Sequence, residues 1–189
     1  MERLNDLTRR EYYASFPFAD EKATMEAVNA ALQAILGVPV SPDKTGIYLI
    51  SSNAGFYSSV AFWEEVLEKG PGLANPERFP WTLANAPCGA ISRAFGITGP
   101  NYTFHGTAMD LPVTLEQIDF DLSQELISQA WLIALDFGKN LKENTRLSVL
   151  VFSDALEVNA LMAQLYRQPY GLEGLSSDAL KKFQFFATD

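Results

Sequence analysis

The chain has 189 residues, of which 48% are hydrophobic and 20% charged, and this composition is typical of one globular domain spanning residues 1–189. Its formal net charge of −9 at pH 7 repels a phosphate backbone, so we expect no nucleic-acid partner. No apolar run reaches the 18 residues of a membrane span, and the charged first residues lack the apolar core of a signal peptide, so we expect no membrane association.

The first part of the chain alternates helical and strand patterns after an irregular lead-in at 1–19. The elements predicted here are a helix from an Asp20 cap to about Leu36 with an alanine-rich face, a strand at 45–51, a helix at about 58–68, a small-residue helix at 83–95 and a strand at 101–107. The run at 45–51 is apolar throughout, which is typical of a strand buried on both faces.

The second part gives a similar alternation. Residues 108–122 predict an acidic loop, and 123–141 predict the best helix of the chain because apolar residues recur at i, i+3, i+4 and i+7. A strand at 147–152, a helical stretch at 155–167 and a glycine-rich aromatic tail complete the chain. Strands that alternate with helices indicate an α/β protein whose largely parallel or mixed sheet is covered on both faces.

A series of motifs stands in a fixed order between Gly46 and Pro100. They are G-I-Y-L-I-S-S-N-A-G, E-K-G-P-G-L-A-N-P-E-R-F-P, W-T-L-A-N-A-P-C-G-A-I-S-R-A-F-G with its Asn85, and I-T-G-P-N-Y-T. This order and spacing resemble the N-terminal half of the β-ketoacyl synthases. The resemblance implies a thiolase-like half-fold, with a mixed, mostly parallel sheet and helices on both faces.

At the position where the family has its nucleophile, this chain has none. In the family the strand after the G-P turn leads to a reactive cysteine, whereas here it leads to Ala108 and Met109, which cannot attack a thioester. The family's further catalytic residues, two histidines and a lysine, lie in its second half, and this chain has one histidine in total. The resemblance therefore implies a subunit without catalytic residues.

The remaining reactive side chains favour structural roles. Cys88, the single cysteine, has no cationic neighbour in sequence to activate it, so a buried inert thiol is expected, and one cysteine fits a reducing cytoplasm. His105 is expected to be a packed or interface residue, because no G-x-S-x-G elbow accompanies it. A solvated loop is favoured over a cation site for the four acidic residues Asp110, Glu116, Asp119 and Asp121. We expect no cofactor and no metal.

The resemblance implies a function through a partner. The chain is similar to the chain-length-factor subunits that pair with an active β-ketoacyl synthase in type II polyketide or fatty-acid-like pathways, and aryl-polyene pathways are one candidate. A stand-alone module that binds an acyl group or acyl carrier protein is the alternative, and an enzyme of unrecognised chemistry is the third.

The predicted interface is the strand at 101–107. In ketosynthase-like dimers this strand pairs with its counterpart across a two-fold axis, so the resemblance implies a homodimer or a heterodimer with a ketosynthase. The candidate interface residues are Tyr102, Phe104 and His105. An aromatic content of 12% is consistent with an extensive interface as well as with a well-filled core.

Overall fold

A computed structural model describes residues 10–17, 20–106, 110–138 and 144–166 of the chain. The strands are β1 (Arg10–Pro17), β2 (Thr45–Ser51), β3 (Asn101–His105), β4 (Gln129–Asp136) and β5 (Asn144–Phe152). The helices are α1 (Glu21–Leu36), α2 (Phe56–Lys69), α3 (Ala86–Phe95), α4 (Leu111–Ser123) and α5 (Ala155–Tyr166). Among the described residues, no helix combines the length and the apolar character needed to cross a bilayer.

The five strands form one mixed sheet in the order β1-β5-β4-β2-β3. β2 lies between β3 and β4 and is parallel to both, while β5 is antiparallel to its neighbours β4 and β1. The expected mixed α/β sheet is therefore confirmed. Its parallel half is built from β2, β3 and β4, and its antiparallel half from β1 and β5.

Each face of the sheet is covered by helices and has its own hydrophobic core. The first core, on the side of α1 and α3, includes Val28, Leu32, Ile47, Leu49, Ile91, Trp131 and Ile133. The second, on the side of α4 and α5, includes Tyr48, Ile50, Leu115, Ile118, Leu132, Phe152 and Leu161. Because β2 and β4 contribute side chains to both cores, they carry the continuous apolar runs that a doubly covered strand requires.

Several elements lie where the sequence predicts them. In α1, the Asp20 side chain accepts a hydrogen bond from the backbone N–H of Ala23 at 2.7 Å, and the helix ends at Gly37 in the left-handed φ region. β2, α2, α3, β3, β5 and α5 also match their predicted positions to within a few residues. The tail from residue 167 onward is outside the described residues.

The alanine-rich face predicted for α1 is not the face that packs. The helix buries Glu21, Thr24, Met25, Val28 and Leu32, whereas its alanines at positions 23, 27, 30 and 34 are exposed. The larger apolar side chains remove more surface from water than alanine does, so they decide which face turns inward.

The lead-in predicted for residues 1–19 is wrong over residues 10–17, which form β1. This strand pairs antiparallel with β5 along its whole length, from Arg10 opposite Val151 to Pro17 opposite Asn144. It lies at the border of the sheet, where Pro17 is tolerated. Its pairing partner lies more than 125 residues away in sequence, so no local pattern indicates it.

The predictions for 108–122 and 123–141 are also wrong. Residues 111–123 form α4 rather than an acidic loop, and residues 129–136 form β4 rather than the middle of a helix. A strand buried on both faces is apolar at nearly every position, so its residues also satisfy a helical spacing. In α4, apolar residues do recur at helical spacing, although acidic residues stand between them in the sequence. They are Leu111, Leu115 and Ile118.

Candidate interaction edge and catalytic position

β3 forms one border of the sheet within the described residues, because it pairs with β2 and with no other strand. Its hydrogen bonds begin where Ile47 N donates to Pro100 O at 2.9 Å and end where Gly106 N donates to Ser51 O at 3.0 Å. In a parallel pair, alternate residues face the partner strand. The backbone N–H and C=O groups of Asn101, Thr103 and His105 therefore point outward, along the open border.

The three residues predicted as interface candidates lie on this strand in different environments. Phe104 is half-buried and packs against the second core, so it supports this chain's own fold. Tyr102 is 36% exposed, and its ring lies between those of Tyr48 and Phe104, with centroids at 5.4 and 6.4 Å. His105 is exposed at the end of the strand. All three are at the border, and their contact with a partner stays a prediction.

A buried polar pair, Tyr48 and Asp121, lies next to the β3 border, where the Tyr48 ring stacks on Tyr102. This pair is not among the sequence predictions. The hydroxyl of Tyr48 donates to Oδ2 of Asp121 at 2.5 Å, and Gln117 Nε2 donates to Oδ1 at 2.9 Å. Burial, followed by the adjacent Asp121 carboxylate, raises the pKa of Tyr48, so this hydroxyl keeps its proton. Burial and the same carboxylate also raise the pKa of Tyr102. Tyr48 inside the apolar run of β2 is a sequence signal for a buried polar partner, because a buried phenol needs a hydrogen bond.

Cys88 is fully buried in the first turn of α3, as the sequence predicts. Its thiol lies 3.6 Å from the backbone oxygen of Tyr102, to which it donates a weak hydrogen bond. Burial raises the pKa of the thiol to about 12, so the thiolate that a nucleophile requires is scarce at neutral pH.

Ala108 and Met109, which stand where the ketosynthases have their nucleophile, lie outside the described residues. The residues on either side show a short connection, because β3 ends at His105 and α4 begins at Leu111. The sequence predicted that an acidic loop delays this helix, and that prediction is wrong. The Asp110 carboxylate lies close to the backbone of Gly106, so that a Cβ at Gly106 would collide with it.

The four acidic residues predicted to share a solvated loop instead belong to α4 and its start. Asp121 is buried against Tyr48, and Asp119 accepts a hydrogen bond from Asn159 of α5 at 2.8 Å. Glu116 is exposed, and Asp110 precedes the first helical residue. No group of His, Cys, Asp or Glu suited to a metal ion occurs among the residues that the structure describes.

A cleft of about 190 Å³ opens between the start of α1, the start of α2 and the 3-10 turn Phe79–Thr82. Two cations and two carboxylates line it: Lys22, Arg78, Asp20 and Glu77. Lys22 lies 3.9 Å from Glu77, and Arg78 lies 3.4 Å from Glu65, so both cations already have carboxylate partners. The cleft therefore offers no excess positive charge for an anionic ligand.

A further carboxylate, that of Glu21, lies beside this cleft, and Glu21 is only 1% exposed. It accepts hydrogen bonds from the backbone N–H groups of Gly55 and Tyr57 at 3.0 Å and of Ser58 at 3.3 Å. These are N–H groups at the start of α2, where a helix has unpaired donors and favours negative charge. Burial raises the pKa of Glu21, against the lowering effect of these hydrogen bonds.

The fold has known counterparts, although no protein-family model and no curated protein matches the sequence. The described structure is similar to the ishigamide ketosynthase/chain length factor, with a TM-score of 0.50 and 14% identity over 58% of this chain and 35% of that one. Ketosynthases were found as well. A domain from the oxazolomycin system of Streptomyces albus gives a TM-score of 0.49 at 14% identity over 78% of this chain and 32% of that one. Ketosynthase twelve of the bacillaene polyketide synthase from Bacillus amyloliquefaciens gives 0.47 at 12% over 62% and 25%.

The comparison with the ketosynthase/chain length factor bears on the fold. The chain spans about a third of the length of the ketosynthase/chain length factor that it matches. The mixed sheet and the helices on both of its faces agree with the expectation from the sequence motifs. The protein has a ketosynthase-like fold of the thiolase type.

Proposed function

We propose that the protein is a noncatalytic, chain-length-factor-like subunit that pairs with an active β-ketoacyl synthase. The pathway class is type II polyketide or fatty-acid-like biosynthesis, with aryl-polyene pathways as one candidate, and the site of action is the cytoplasm. The observation that carries this proposal is the open border of β3 in a ketosynthase-like fold.

The chain lacks an accessible nucleophile for condensation at Cys88, Ala108 and Met109. Decarboxylative condensation requires a thiolate, and Cys88 is the chain's single cysteine. Its burial and raised pKa keep it protonated and out of reach of an acyl group. The resemblance puts Ala108 and Met109, which are not nucleophiles, at the catalytic position.

The border of β3 offers a place for a partner strand. The outward backbone groups of Asn101, Thr103 and His105 offer a row of donors and acceptors to another strand. Strand addition at such an edge draws its affinity from main-chain hydrogen bonds and its selectivity from alternate side chains. On this strand Asn101, Tyr102 and His105 are exposed, so their side chains would meet the partner.

The decisive experiment alters the backbone of the border, and its control accounts for the Thr103 side chain, whose hydroxyl is buried beside Cys88. Thr103→Pro removes one outward N–H while leaving the bonds between β3 and β2 in place, because Thr103 faces away from β2. Thr103→Ala is the matched control, since it removes the side chain and keeps the N–H. A substitution of Phe104 is less suitable, because Phe104 packs against this chain's own core.

The protein is co-expressed with an active β-ketoacyl synthase of a type II pathway, and the complex is sized by analytical ultracentrifugation. We expect one complex for the wild type and Thr103→Ala, and separate species for Thr103→Pro with its circular-dichroism spectrum unchanged. Complex formation that survives Thr103→Pro would show that β3 is not the interface. A wild-type chain that stays monomeric with and without the ketosynthase would refute the pairing itself.

A second measurement tests the lack of catalysis. Pure protein is incubated with acyl- and malonyl-carrier protein, and no ketoacyl product is expected. Mass spectrometry of the purified protein separates the alternative function, since a co-purified acyl group on a chain that binds no ketosynthase would favour the acyl-binding module.

A further inference from the structure

Helix α2 presents an apolar stripe to solvent. Phe56, Val60, Trp63 and Leu67 follow one another at intervals of four, three and four residues, which puts them on one face of the helix. Their exposed fractions are 57%, 42%, 61% and 82%, and no residue of α2 is buried. Side chains of this size are normally the ones that a helix turns inward.

The stripe continues onto the neighbouring 3-10 turn. The turn is attached to α2 by a ring contact between Phe62 and Phe79, with centroids at 5.8 Å, and by a hydrogen bond from Ser59 Oγ to Thr82 O at 3.2 Å. Phe79 and Leu83 are 56% and 50% exposed, so they extend the apolar area on this side. We call the stripe with these two residues the α2 surface: Phe56, Val60, Trp63, Leu67, Phe79 and Leu83.

The opposite flank of the stripe is acidic. At 100° per residue, Glu64 and Glu68 lie side by side just beyond Val60 and Leu67. Both are exposed, and neither forms an ion pair with a described residue. Glu65, on the far side of the helix, is instead paired with Lys69 at 3.0 Å and Arg78 at 3.4 Å. The α2 surface therefore has one apolar border and one border of unpaired negative charge.

This asymmetry argues against a second copy of the chain as the occupant. In a parallel packing of two α2 helices about a two-fold axis, the acidic flank of each would face the 3-10 turn of the other, where Arg78 is already paired with Glu65. In an antiparallel packing, each flank would face the same flank of the other helix. Glu64 and Glu68 of one copy would meet Glu64 and Glu68 of the next, which is repulsive. The net charge of −9 adds to this repulsion between copies.

We propose that the α2 surface binds an amphipathic helix of a different protein, with a stripe of large apolar side chains and Lys or Arg residues along one edge. The apolar stripe would pack into the area between α2 and the 3-10 turn, and the cations would face Glu64 and Glu68. This is the helix-in-groove mode of recognition, in which apolar anchors give affinity and flanking charges give selectivity and orientation. The proposal does not depend on the pairing proposed for β3.

The experiment uses two synthetic helical peptides with the same leucine stripe, one with lysines and the other with glutamates along one edge. Each is labelled with a fluorophore and titrated with the whole protein, and binding is followed by fluorescence anisotropy. We expect the lysine peptide to bind more tightly by about three- to tenfold, as expected for a few exposed ion pairs, and the difference to shrink at high salt.

Two pairs of variants assign the binding to the surface. Leu67→Gln should weaken the lysine peptide at least about fivefold, whereas the matched control Leu156→Gln should not, because Leu156 is a similarly exposed leucine on α5. The double variant Glu64→Lys/Glu68→Lys should reverse the preference, so that the glutamate peptide binds better.

Three results would overturn the proposal. They are equal affinity for the two peptides, equal loss of binding in Leu67→Gln and Leu156→Gln, and an unchanged preference after the charge reversal. Concentration-dependent self-association of the wild type that Leu67→Gln abolishes would also overturn it, in favour of a second copy. Both peptide titrations are repeated on Thr103→Pro, where unchanged binding separates this surface from the β3 border.

Discussion

The β3 border exposes mainly backbone groups, whereas the α2 surface exposes mainly side chains. At β3 the side chains of Tyr102 and Phe104 pack on the chain's own aromatics, while every second backbone group is open. At α2 the backbone bonds are internal to the helix, and the large side chains are open. A backbone border accepts many sequences that adopt an extended conformation, whereas a side-chain surface selects by shape and charge. The two regions are therefore suited to different kinds of partner.

The largest effect is expected at the turn before β3, which contacts the first residue of β2. A Cβ added at Gly99 would collide with the backbone oxygen of Thr45, and only a backbone shift could relieve this collision. We expect Gly99→Ala to lower the free energy of unfolding by about 3 kcal/mol, measured by urea denaturation.

Gly72→Ala is the control for that substitution, because nothing lies within 4 Å of a Cβ at Gly72. It should change the stability by no more than about 0.5 kcal/mol. Equal stability of the two variants would mean that β3 is loosely held, and its border would then be a poor template for a second strand.

The next effect concerns the buried pair beneath the border. Tyr48→Phe leaves the Asp121 carboxylate buried without the hydroxyl donor, and we expect a loss of about 2 kcal/mol in the free energy of unfolding. The measurement is a double-mutant cycle with Asp121→Asn. If the two substitutions are additive, the hydrogen bond contributes nothing, and the position of Tyr102 does not depend on this pair.

The smallest effect concerns Glu21, which holds the start of α2. Since its folded pKa is raised, the folded protein binds this proton more tightly than the unfolded chain does. The contribution of Glu21 to stability is therefore fully present below its ordinary pKa of 4.5 and is lost as the pH rises through the raised value.

The comparison is between the wild type and Glu21→Gln, whose melting temperatures are measured at a series of pH values. The neutral amide keeps the size of the protonated acid, but its NH2 group cannot accept a backbone N–H as the second carboxyl oxygen does, so the variant should be less stable than the wild type at pH 4. The variant should gain on the wild type as the pH rises above 4.5. A difference that is constant with pH would mean that Glu21 titrates alike in both states and that burial does not control it.

The candidate site was only partly visible in the sequence. The small-residue helix with buried Cys88 and the strand with Tyr102, Phe104 and His105 follow from local pattern and motif order. The Tyr48–Asp121 pair joins residues 73 positions apart, and Glu21 meets α2 residues 34 to 37 positions away. Contacts between residues so distant in sequence leave no periodic signal, so neither could be read from composition or spacing.

The sequence by itself determined the elements whose signals are local. The Asp20 cap, the stop at Gly37, the apolar run of β2 and the glycine that ends α2 all act within a few residues, so their physics does not depend on the rest of the fold. Only the tertiary structure decided that residues 129–136 form a strand, because their apolar run fits both a helix and a doubly covered strand. The deciding free energy is the pairing of β4 with β2 and β5, together with burial on both faces, and these partners come together only when the whole sheet assembles.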